Sequence, residues 1–252
     1  MGANGILMET SLNGKTVLIT GATGGIGSHT ARMLAQNGAK VLLSGRSKEK
    51  LDAVAAEIAA ISGETPPTLR ADLTDATQVQ RLLNETRDLT DGALDILVNA
   101  AGIGAIKPVT SLTQQDFYSL LAINLYGAMV LSQETVKLMI ERKSGHIVHV
   151  IGILGKAAML NATAYCASKY GLSGFLEALR LEVSRRHNIK VTGLYLGGVD
   201  TPFYDNPNIE MKVQRDKMLS PDDASRAILY ALTQPAHLVL GELTLQPESH
   251  QL

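Results

Sequence analysis

Tyr165 and Lys169 are the two residues of this chain whose types and spacing point most directly to chemistry. They lie four residues apart, and one helical turn would place both side chains on the same face of a helix. A lysine ammonium close to a phenol favours the phenolate and so lowers the pKa of the tyrosine. We therefore expect Tyr165 to give or take a proton near neutral pH. A surface pair on an amphipathic helix has the same spacing, so this interpretation depends on a second motif.

A glycine-rich loop near the N-terminus is that second motif. It reads Thr20-Gly21-Ala22-Thr23-Gly24-Gly25-Ile26-Gly27 and connects a predicted strand to a predicted helix. The N-terminus of a helix offers unpaired N–H groups and the positive end of a dipole, which suit a pyrophosphate. Glycines also let the backbone approach a ligand closely. The spacing differs from the G-x-G-x-x-G fingerprint, so the loop taken alone is also compatible with a turn that binds nothing.

Short apolar segments alternate with longer helical patterns along the whole chain. The predicted strands are Thr16–Thr20, Lys40–Ser44, Thr68–Ala71, Asp95–Asn99, His146–Ile151, Lys190–Leu196 and Glu242–Leu245. The predicted helices are Ile26–Asn37, Lys48–Ile61, Ala76–Leu89, Gln114–Arg142, Thr163–His187 and Pro221–Thr233. This alternation indicates right-handed βαβ units. We predict an α/β fold, one doubly wound parallel sheet in a single domain over residues 12–252, after an N-terminal extension over residues 1–11.

Composition excludes several other classes of protein. The 252 residues are 45% hydrophobic and 19% charged, as in an ordinary globular protein. The formal net charge is −1, so we expect neither a nucleic-acid partner nor a membrane partner. Cys166 is the single cysteine, which excludes an internal disulfide and favours a cytoplasmic location. The chain has no apolar run of membrane-spanning length and no signal-peptide pattern, and we predict no metal site.

Taken together, the order and spacing of these motifs resemble the short-chain dehydrogenase/reductase family, in its branch with chains of about this length. The resemblance extends from about Leu12 to Leu245. It implies a single-domain Rossmann fold whose seven-stranded sheet has the order 3-2-1-4-5-6-7, with helices on both faces. It also implies a nicotinamide cofactor, a small carbonyl or alcohol substrate, a substrate lid over about residues 198–220, and a homodimer or homotetramer.

The resemblance assigns roles to particular residues. Tyr165 would be the general acid or base, Lys169 would hold the nicotinamide ribose, and Asn124 would order a proton-relay water. The residues implied for the cofactor are Gly21, Thr23, Gly24, Gly25, Ile26 and Gly27 in the loop, Asp72 and Leu73 after the third strand, Asn99, Ala100, Ala101 and Gly102 after the fourth, Tyr165 and Lys169, and Gly197, Val199 and Thr201 after the sixth.

The position of the family's catalytic serine departs from the pattern. That serine lies thirteen residues before the tyrosine, and here the position is Gly152. Losing one hydrogen-bond donor to a developing oxyanion typically costs about 10²–10³ in rate. Three interpretations therefore stay open: a carbonyl reductase or alcohol dehydrogenase that tolerates Gly152, a redox-impaired sensor that binds the cofactor, and a non-redox isomerase, dehydratase or lyase. Nearby His149 has the pattern of a buried structural histidine.

The end of the second predicted strand bears on cofactor choice. NAD-selective folds place a carboxylate there to bind the ribose 2′-hydroxyl, and that charge would repel the 2′-phosphate of NADP. Here the strand ends in Ser44-Gly45-Arg46, which contains no acid. The guanidinium of Arg46 suits a phosphate, and Ser44 could add a hydroxyl donor. We therefore predict NADP(H) in preference to NAD(H).

Overall fold

Seven parallel strands form one sheet in the computed structural model, which describes residues 11–249. The strands are β1 (Thr16–Thr20), β2 (Lys40–Gly45), β3 (Thr68–Arg70), β4 (Ile96–Asn99), β5 (Gly145–Val150), β6 (Ile189–Leu196) and β7 (Glu242–Leu245). Their order is β3-β2-β1-β4-β5-β6-β7, and every neighbouring pair is parallel. The predicted sheet order is therefore confirmed. Apart from Ser11, the predicted N-terminal extension lies outside the described residues.

Helices cover both faces of this sheet. They are α1 (Gly25–Gln36), α2 (Lys48–Ser62), α3 (Ala76–Leu89), α4 (Gln114–Leu121), α5 (Gly127–Arg142), α6 (Thr163–His187) and α7 (Pro221–Leu232). Side chains of β1 alternate between two buried clusters, because successive residues of a strand point to opposite faces. Leu18 packs in the cluster with α3, α5 and α6, whereas Ile19 packs in the cluster with α1, α2 and α7. No helix within residues 11–249 is long and apolar enough to cross a membrane.

The predicted helix Gln114–Arg142 differs from the structure at its centre. A five-residue π-helical segment, Ala122–Tyr126, separates α4 from α5 and contains Asn124. The N–H of Gly127 donates to the carbonyl of Ala122, five residues earlier, while the backbone stays right-handed. Apolar periodicity continues through such a bulge, so the sequence pattern did not reveal it. Single π-turns occur often at functional sites, and this one carries a predicted catalytic residue.

The carboxyl ends of the central strands meet at one edge of the sheet. The glycine loop follows β1, the segment Asn99–Gly102 follows β4, Gly152 follows β5, and Gly197–Thr201 follows β6. Ligands of open α/β sheets bind at this edge, where the strand order reverses. The fold therefore gathers the separate sequence motifs into one place.

Candidate active site

Two glycines of the glycine-rich loop lie so close to neighbouring backbone that neither position has room for a side chain. Gly21 has a φ of +67°, and a Cβ there would lie 2.6 Å from the Ala101 nitrogen. A Cβ on Gly27 would lie 2.2 Å from the Gly21 carbonyl oxygen. Helix α1 begins directly afterwards, with Gly24 as an N-cap that provides no side-chain acceptor and with no acid in the first turn. Its first N–H groups are therefore free to bind an anion.

A cleft of about 710 Å³ extends from this loop to Tyr165. Its walls include most of the predicted cofactor and catalytic residues, namely Thr23, Gly24, Gly25, Ile26, Gly27, Ala100, Ala101, Gly102, Gly152, Tyr165, Lys169, Gly197, Val199 and Thr201. A larger depression of about 1110 Å³ lies near the amino ends of β1 and β2, around Asn13 and Lys40. That depression contains none of the predicted site residues, so we place the candidate active site in the smaller cleft.

Some predicted cofactor residues do not line the cleft. The Asp72 carboxylate accepts hydrogen bonds from the Thr74 N–H and hydroxyl at 2.9 and 2.8 Å, which shapes the turn before α3. Ser44 is buried, and its carbonyl accepts from the Ala22 N–H at 3.0 Å. Gly21, Arg46, Leu73 and Asn99 also do not line the cleft. Sequence position alone did not separate residues that support the cleft from those that face it.

Asn99 and His149 form a buried polar network beneath the cleft. The Asn99 Oδ1 accepts from the Thr20 hydroxyl at 2.6 Å and from the Ala101 N–H at 3.2 Å. His149 contacts Asn99 through Nδ1 at 3.0 Å and the Ser132 hydroxyl through Nε2 at 2.9 Å. Burial lowers the pKa of His149 to about 3, with a smaller contribution from the Lys169 charge. The histidine is therefore neutral, and its predicted structural role is confirmed.

Tyr165 and Lys169 share a face of α6, but the expected lowering of the Tyr165 pKa is not found. The Lys169 Nζ lies 5.7 Å from the centre of the Tyr165 ring and donates to the Val150 carbonyl at 3.4 Å. Burial raises the pKa of Tyr165, and the nearby Tyr204 and Cys166 raise it further. Desolvation thus outweighs attraction to the ammonium. The phenol is protonated at neutral pH, which suits a proton donor.

Lys169 is itself almost fully buried. Only 4% of its surface is exposed, and burial lowers the pKa of its ammonium to about 8. Within the described residues, no carboxylate forms a salt bridge with it. Uncompensated burial of a charge is costly, and such costs are concentrated at functional sites.

Asn124 lies next to the lysine and is held by three hydrogen bonds. Its Nδ2 donates to the Ile103 carbonyl at 2.9 Å and to the Ser168 hydroxyl at 3.1 Å, and its Oδ1 accepts from the Ile103 N–H at 2.9 Å. A Cβ added to Gly102 would lie 3.2 Å from the Asn124 Oδ1 and 3.6 Å from the Lys169 Nζ. The structure therefore brings Asn124, Lys169 and the loop after β4 together around one glycine.

Gly152 has a backbone conformation that residues with a side chain rarely adopt. Its φ of +92° and ψ of 157° fall in a region used essentially by glycine alone. Its N–H donates to the Leu194 carbonyl at 3.2 Å, which holds this geometry in place. A Cβ would have room, since its nearest neighbour is the Leu196 carbonyl oxygen at 3.8 Å. A side chain at position 152 would therefore be opposed by backbone strain, and not by lack of space.

We expect Gly152→Ala and Gly152→Ser to destabilise the protein to the same extent, by about 1–3 kcal/mol, because both would be forced into a glycine-only conformation. Urea unfolding of the two variants and the native protein measures this difference. The alanine variant is the control for the hydroxyl, since it carries the strain without a donor. Variants as stable as the native protein would contradict the strain assigned to this position.

Several cleft residues were not found by sequence reasoning. Lys50 from the first turn of α2, Phe203 and Tyr204 after β6, and Gln246 after β7 all line the cleft. Neither Lys50 nor Gln246 belongs to a motif, and their positions depend on how distant elements pack. Tyr204 lies within the predicted lid, but the sequence did not indicate that its side chain faces the cleft.

The predicted lid is tied to the body of the protein. The Ile106 N–H donates to the Asn208 carbonyl at 2.7 Å, and the Glu210 N–H donates to the Ile106 carbonyl at 2.8 Å. The Arg215 guanidinium donates to the carboxylates of Asp200 at 3.0 Å and Asp205 at 2.5 Å. These contacts hold the segment around Tyr204 against the opening of the cleft.

Comparisons with known proteins add an independent line of support. The sequence profile of the family described as short chain dehydrogenase matches residues 15–211. An uncharacterized oxidoreductase of Staphylococcus aureus (strain USA300) is 34% identical over 238 residues, which cover 94% of this chain and 99% of that protein. The similarity thus includes both the glycine loop and the Tyr165 helix.

Solved structures agree with the sequence comparisons. A metagenomic short-chain oxidoreductase in complex with NADP has a TM-score of 0.80 and 29% identity, covering 94% of this chain and 98% of that one. A variant of the actinorhodin polyketide ketoreductase, solved with NADPH, has a TM-score of 0.83 and 26% identity, with coverage of 95% and 97%. With the profile, the relatives and the fold in agreement, this chain belongs to the short-chain dehydrogenase/reductase family of NAD(P)-dependent oxidoreductases.

Proposed function

We propose that this protein is an NADP(H)-dependent oxidoreductase that interconverts a carbonyl compound and a secondary alcohol, with Tyr165 as general acid or base. The observation that carries the proposal is one cleft whose walls include the N-terminus of α1 as well as Tyr165 and Lys169. A bound nicotinamide cofactor would supply or accept the hydride. The glycine loop fits the pyrophosphate of such a cofactor, because it leads into the N-terminus of α1, where backbone N–H groups suit an anion.

In the direction of reduction, the Tyr165 hydroxyl donates its proton to the substrate oxygen. The Lys169 ammonium stabilises the phenolate that remains, since opposite charges attract strongly in a buried site. The Asn124 side chain is fixed beside Lys169 by its hydrogen bonds with Ile103 and Ser168. It is suited to order the water through which Tyr165 regains its proton. In the direction of oxidation, the same groups act in reverse, and Tyr165 must first lose its proton.

Basic side chains at the end of β2 and β3 support NADP(H) as the cofactor. Arg46 is exposed directly after β2, and its carbonyl accepts from the Arg70 Nε at 3.0 Å. Lys50 lines the cleft, and the Thr23 side chain in the cleft wall lies next to Gly45, the residue before Arg46. Positive charge from Arg46 and Lys50 near this end of the cleft favours a 2′-phosphate. Similar proteins solved with NADP or NADPH are consistent with this choice.

We expect Arg46→Asp to raise the Kd for NADPH by about 10- to 100-fold and to leave the Kd for NADH equal or lower. A hydrogen bond to a charged group contributes about 1.5–3 kcal/mol, and about 1.4 kcal/mol corresponds to tenfold in affinity. Titration calorimetry with both cofactors measures the ratio. Lys40→Asp, at the opposite end of β2, is the matched control for the change in charge. Equal weakening of both cofactors would contradict recognition of the 2′-phosphate.

The substrate end of the cleft supports an apolar carbonyl compound. Large apolar side chains form part of its wall, namely Ile106, Ile153, Leu154, Met159, Phe203, Met211 and Met218. Pockets of this kind bind the apolar body of a ligand, while a few polar groups fix its orientation. Met159 lines the cleft, whereas nearby Lys156 pairs with Glu242.

Two assays test the proposed function. One follows oxidation of NADPH with a panel of aryl and alkyl ketones, and the other follows reduction of NADP⁺ with the matching alcohols. Ketone-dependent oxidation with a stoichiometric alcohol product is the expected result. Conversion of a compound without net change in NADPH would instead assign a non-redox reaction, and cofactor binding without any conversion would assign a sensor.

Exposed apolar side chains support self-association as a homodimer or homotetramer. Tyr118 on α4, Tyr126 in the π-helical segment and Leu181 on α6 are 71%, 51% and 84% exposed. Large apolar groups concentrated on such helices are typical of subunit contacts. A cytoplasmic location fits the single buried cysteine, Cys166, which is free of any disulfide.

A further inference from the structure

The cleft lacks a side-chain donor at position 152, and the residues around it offer few substitutes. Four hydroxyl-bearing residues line the cleft: Thr23, Tyr165, Thr201 and Tyr204. The Thr23 side chain lies next to Gly45, at the end of β2. Thr201 packs against Gly25, because a Cβ added to Gly25 would lie 2.5 Å from the methyl group of Thr201. Both threonines therefore belong to the glycine-loop end of the cleft, whereas Tyr204 is linked to Tyr165 through the ring of Phe203.

The Tyr204 hydroxyl lies against the loop that follows β6. A Cβ on Gly198, in that loop, would lie 3.3 Å from the Tyr204 hydroxyl oxygen. A Cβ on Gly152 would lie 3.8 Å from the carbonyl oxygen of Leu196, the last residue of β6. The end of β6 and the loop after it therefore border both position 152 and the Tyr204 hydroxyl.

An aromatic contact chain fixes Tyr204 relative to Tyr165. The ring of Phe203 lies 6.0 Å from the Tyr165 ring and 5.2 Å from the Tyr204 ring, in edge-to-face contact with the latter. Phe203 packs over Gly104, where a Cβ would lie only 2.2 Å from its ring. Negative charge on Tyr204 would raise the pKa of Tyr165, so the two phenols are within electrostatic reach. Among the described residues, the Tyr204 hydroxyl has no hydrogen-bond partner.

We infer that the Tyr204 hydroxyl donates the second hydrogen bond to the substrate carbonyl oxygen, in place of the serine that position 152 lacks. This inference rests on the proposed function. Tyr165 transfers its proton to the oxygen as the carbonyl is reduced, whereas Tyr204 keeps its proton and only stabilises the developing negative charge. The donor is provided by the segment after β6, and the bonds of Arg215 to Asp200 and Asp205 hold that segment in position. Pre-organised donors of this kind stabilise an oxyanion most effectively.

The test compares Tyr204→Phe with native protein in two measurements. Phenylalanine keeps the ring that packs on Phe203 and removes the hydroxyl alone. In turnover, kcat for ketone reduction is expected to fall by about 10²-fold, with the Kd for NADPH unchanged. Tyr230→Phe, on the exposed side of α7, is the matched control and should keep kcat within about threefold.

Ligand binding without turnover is the second measurement. Acetophenone and cyclohexanone are titrated into the NADP⁺ complex, which cannot reduce them, alongside their oxygen-free counterparts ethylbenzene and cyclohexane. Loss of one hydrogen bond should weaken ketone binding by about tenfold in Tyr204→Phe. The hydrocarbons should bind both proteins equally, because they do not use the hydroxyl.

The outcomes separate this inference from the proposed function. Equal ketone affinity and equal kcat in Tyr204→Phe and native protein overturn the role of Tyr204 and leave the oxidoreductase proposal intact. A selective loss of ketone affinity in a protein that reduces no ketone supports the donor and overturns the proposed reaction. Native protein that binds no ketone and reduces none overturns both.

Discussion

Replacing Tyr165 by phenylalanine is expected to lower kcat for ketone reduction by about 10³-fold, within the range of about 10²–10⁴ for loss of a general acid. The ring can still pack against Phe203, 6.0 Å away, so the change removes a proton donor and little else. The Kd for NADPH should stay within about threefold of the native value. Steady-state kinetics and titration calorimetry measure the two quantities.

The control for Tyr165→Phe is Tyr195→Phe, the same substitution in β6. Tyr195 is buried, does not line the cleft, and has its ring beneath the Lys156 ammonium. Its substitution keeps the ring and should leave kcat nearly unchanged. A Tyr165→Phe protein with native kcat would rule out Tyr165 as the proton donor.

The raised pKa of Tyr165 gives the two reaction directions different pH dependences. Burial keeps the phenol protonated at neutral pH, so ketone reduction should vary little with pH between about 6 and 8 as far as this group is concerned. Alcohol oxidation needs the phenolate, so its rate should rise with pH through this range and above. The asymmetry should disappear in Tyr165→Phe, whose residual rate no longer depends on this proton.

The sheet and its contacts with the helices were predictable because they depend on local patterns. The bounds of β1 and β7 agree with the predicted strands, and β3 and β4 differ by one residue at one end. At the end of β3, Ala71 still donates from its N–H to the Gly45 carbonyl at 3.0 Å. Buried apolar runs and the glycines at strand ends therefore carry enough information to define the sheet edge where the cleft forms.

The details of the site depend on contacts that no local pattern contains. The periodicity of apolar residues does not indicate the π-helical turn at Asn124. The glycine-only backbone at Gly152 follows from its bonding to the neighbouring strand β6. Tyr204 lies against Phe203 and the loop after β6, two contacts between residues that only the folded chain brings together. The pKa of Tyr165 depends on how much protein surrounds it. Each of these features depends on contacts between residues that are distant in sequence, so predicting it requires the tertiary structure.

Replacing Lys169 by methionine is expected to abolish efficient turnover and at the same time to stabilise the fold. The lysine is buried with no salt bridge among the described residues, and its pKa is lowered from 10.5 to about 8. One pKa unit corresponds to about 1.36 kcal/mol, so removing the charge should raise the free energy of unfolding at pH 7 by about 1–3 kcal/mol. The kcat should fall by about 10²-fold or more, because the phenolate of Tyr165 loses its stabilising charge.

The stabilisation should also depend on pH with a defined sign. Because the folded pKa of Lys169 is below the unfolded value, the unfolded chain binds more protons between about pH 8 and 10.5. The free energy of unfolding of the native protein therefore rises with pH in this window. The difference in that free energy between Lys169→Met and native protein should become smaller there. Urea unfolding of cofactor-free protein at pH 7 and pH 9.5 measures the change, with Lys137→Met on the exposed face of α5 as the control. A destabilised Lys169→Met variant would show that the ammonium supports the fold, whereas the expected gain would mean that this lysine is retained for catalysis at the expense of stability.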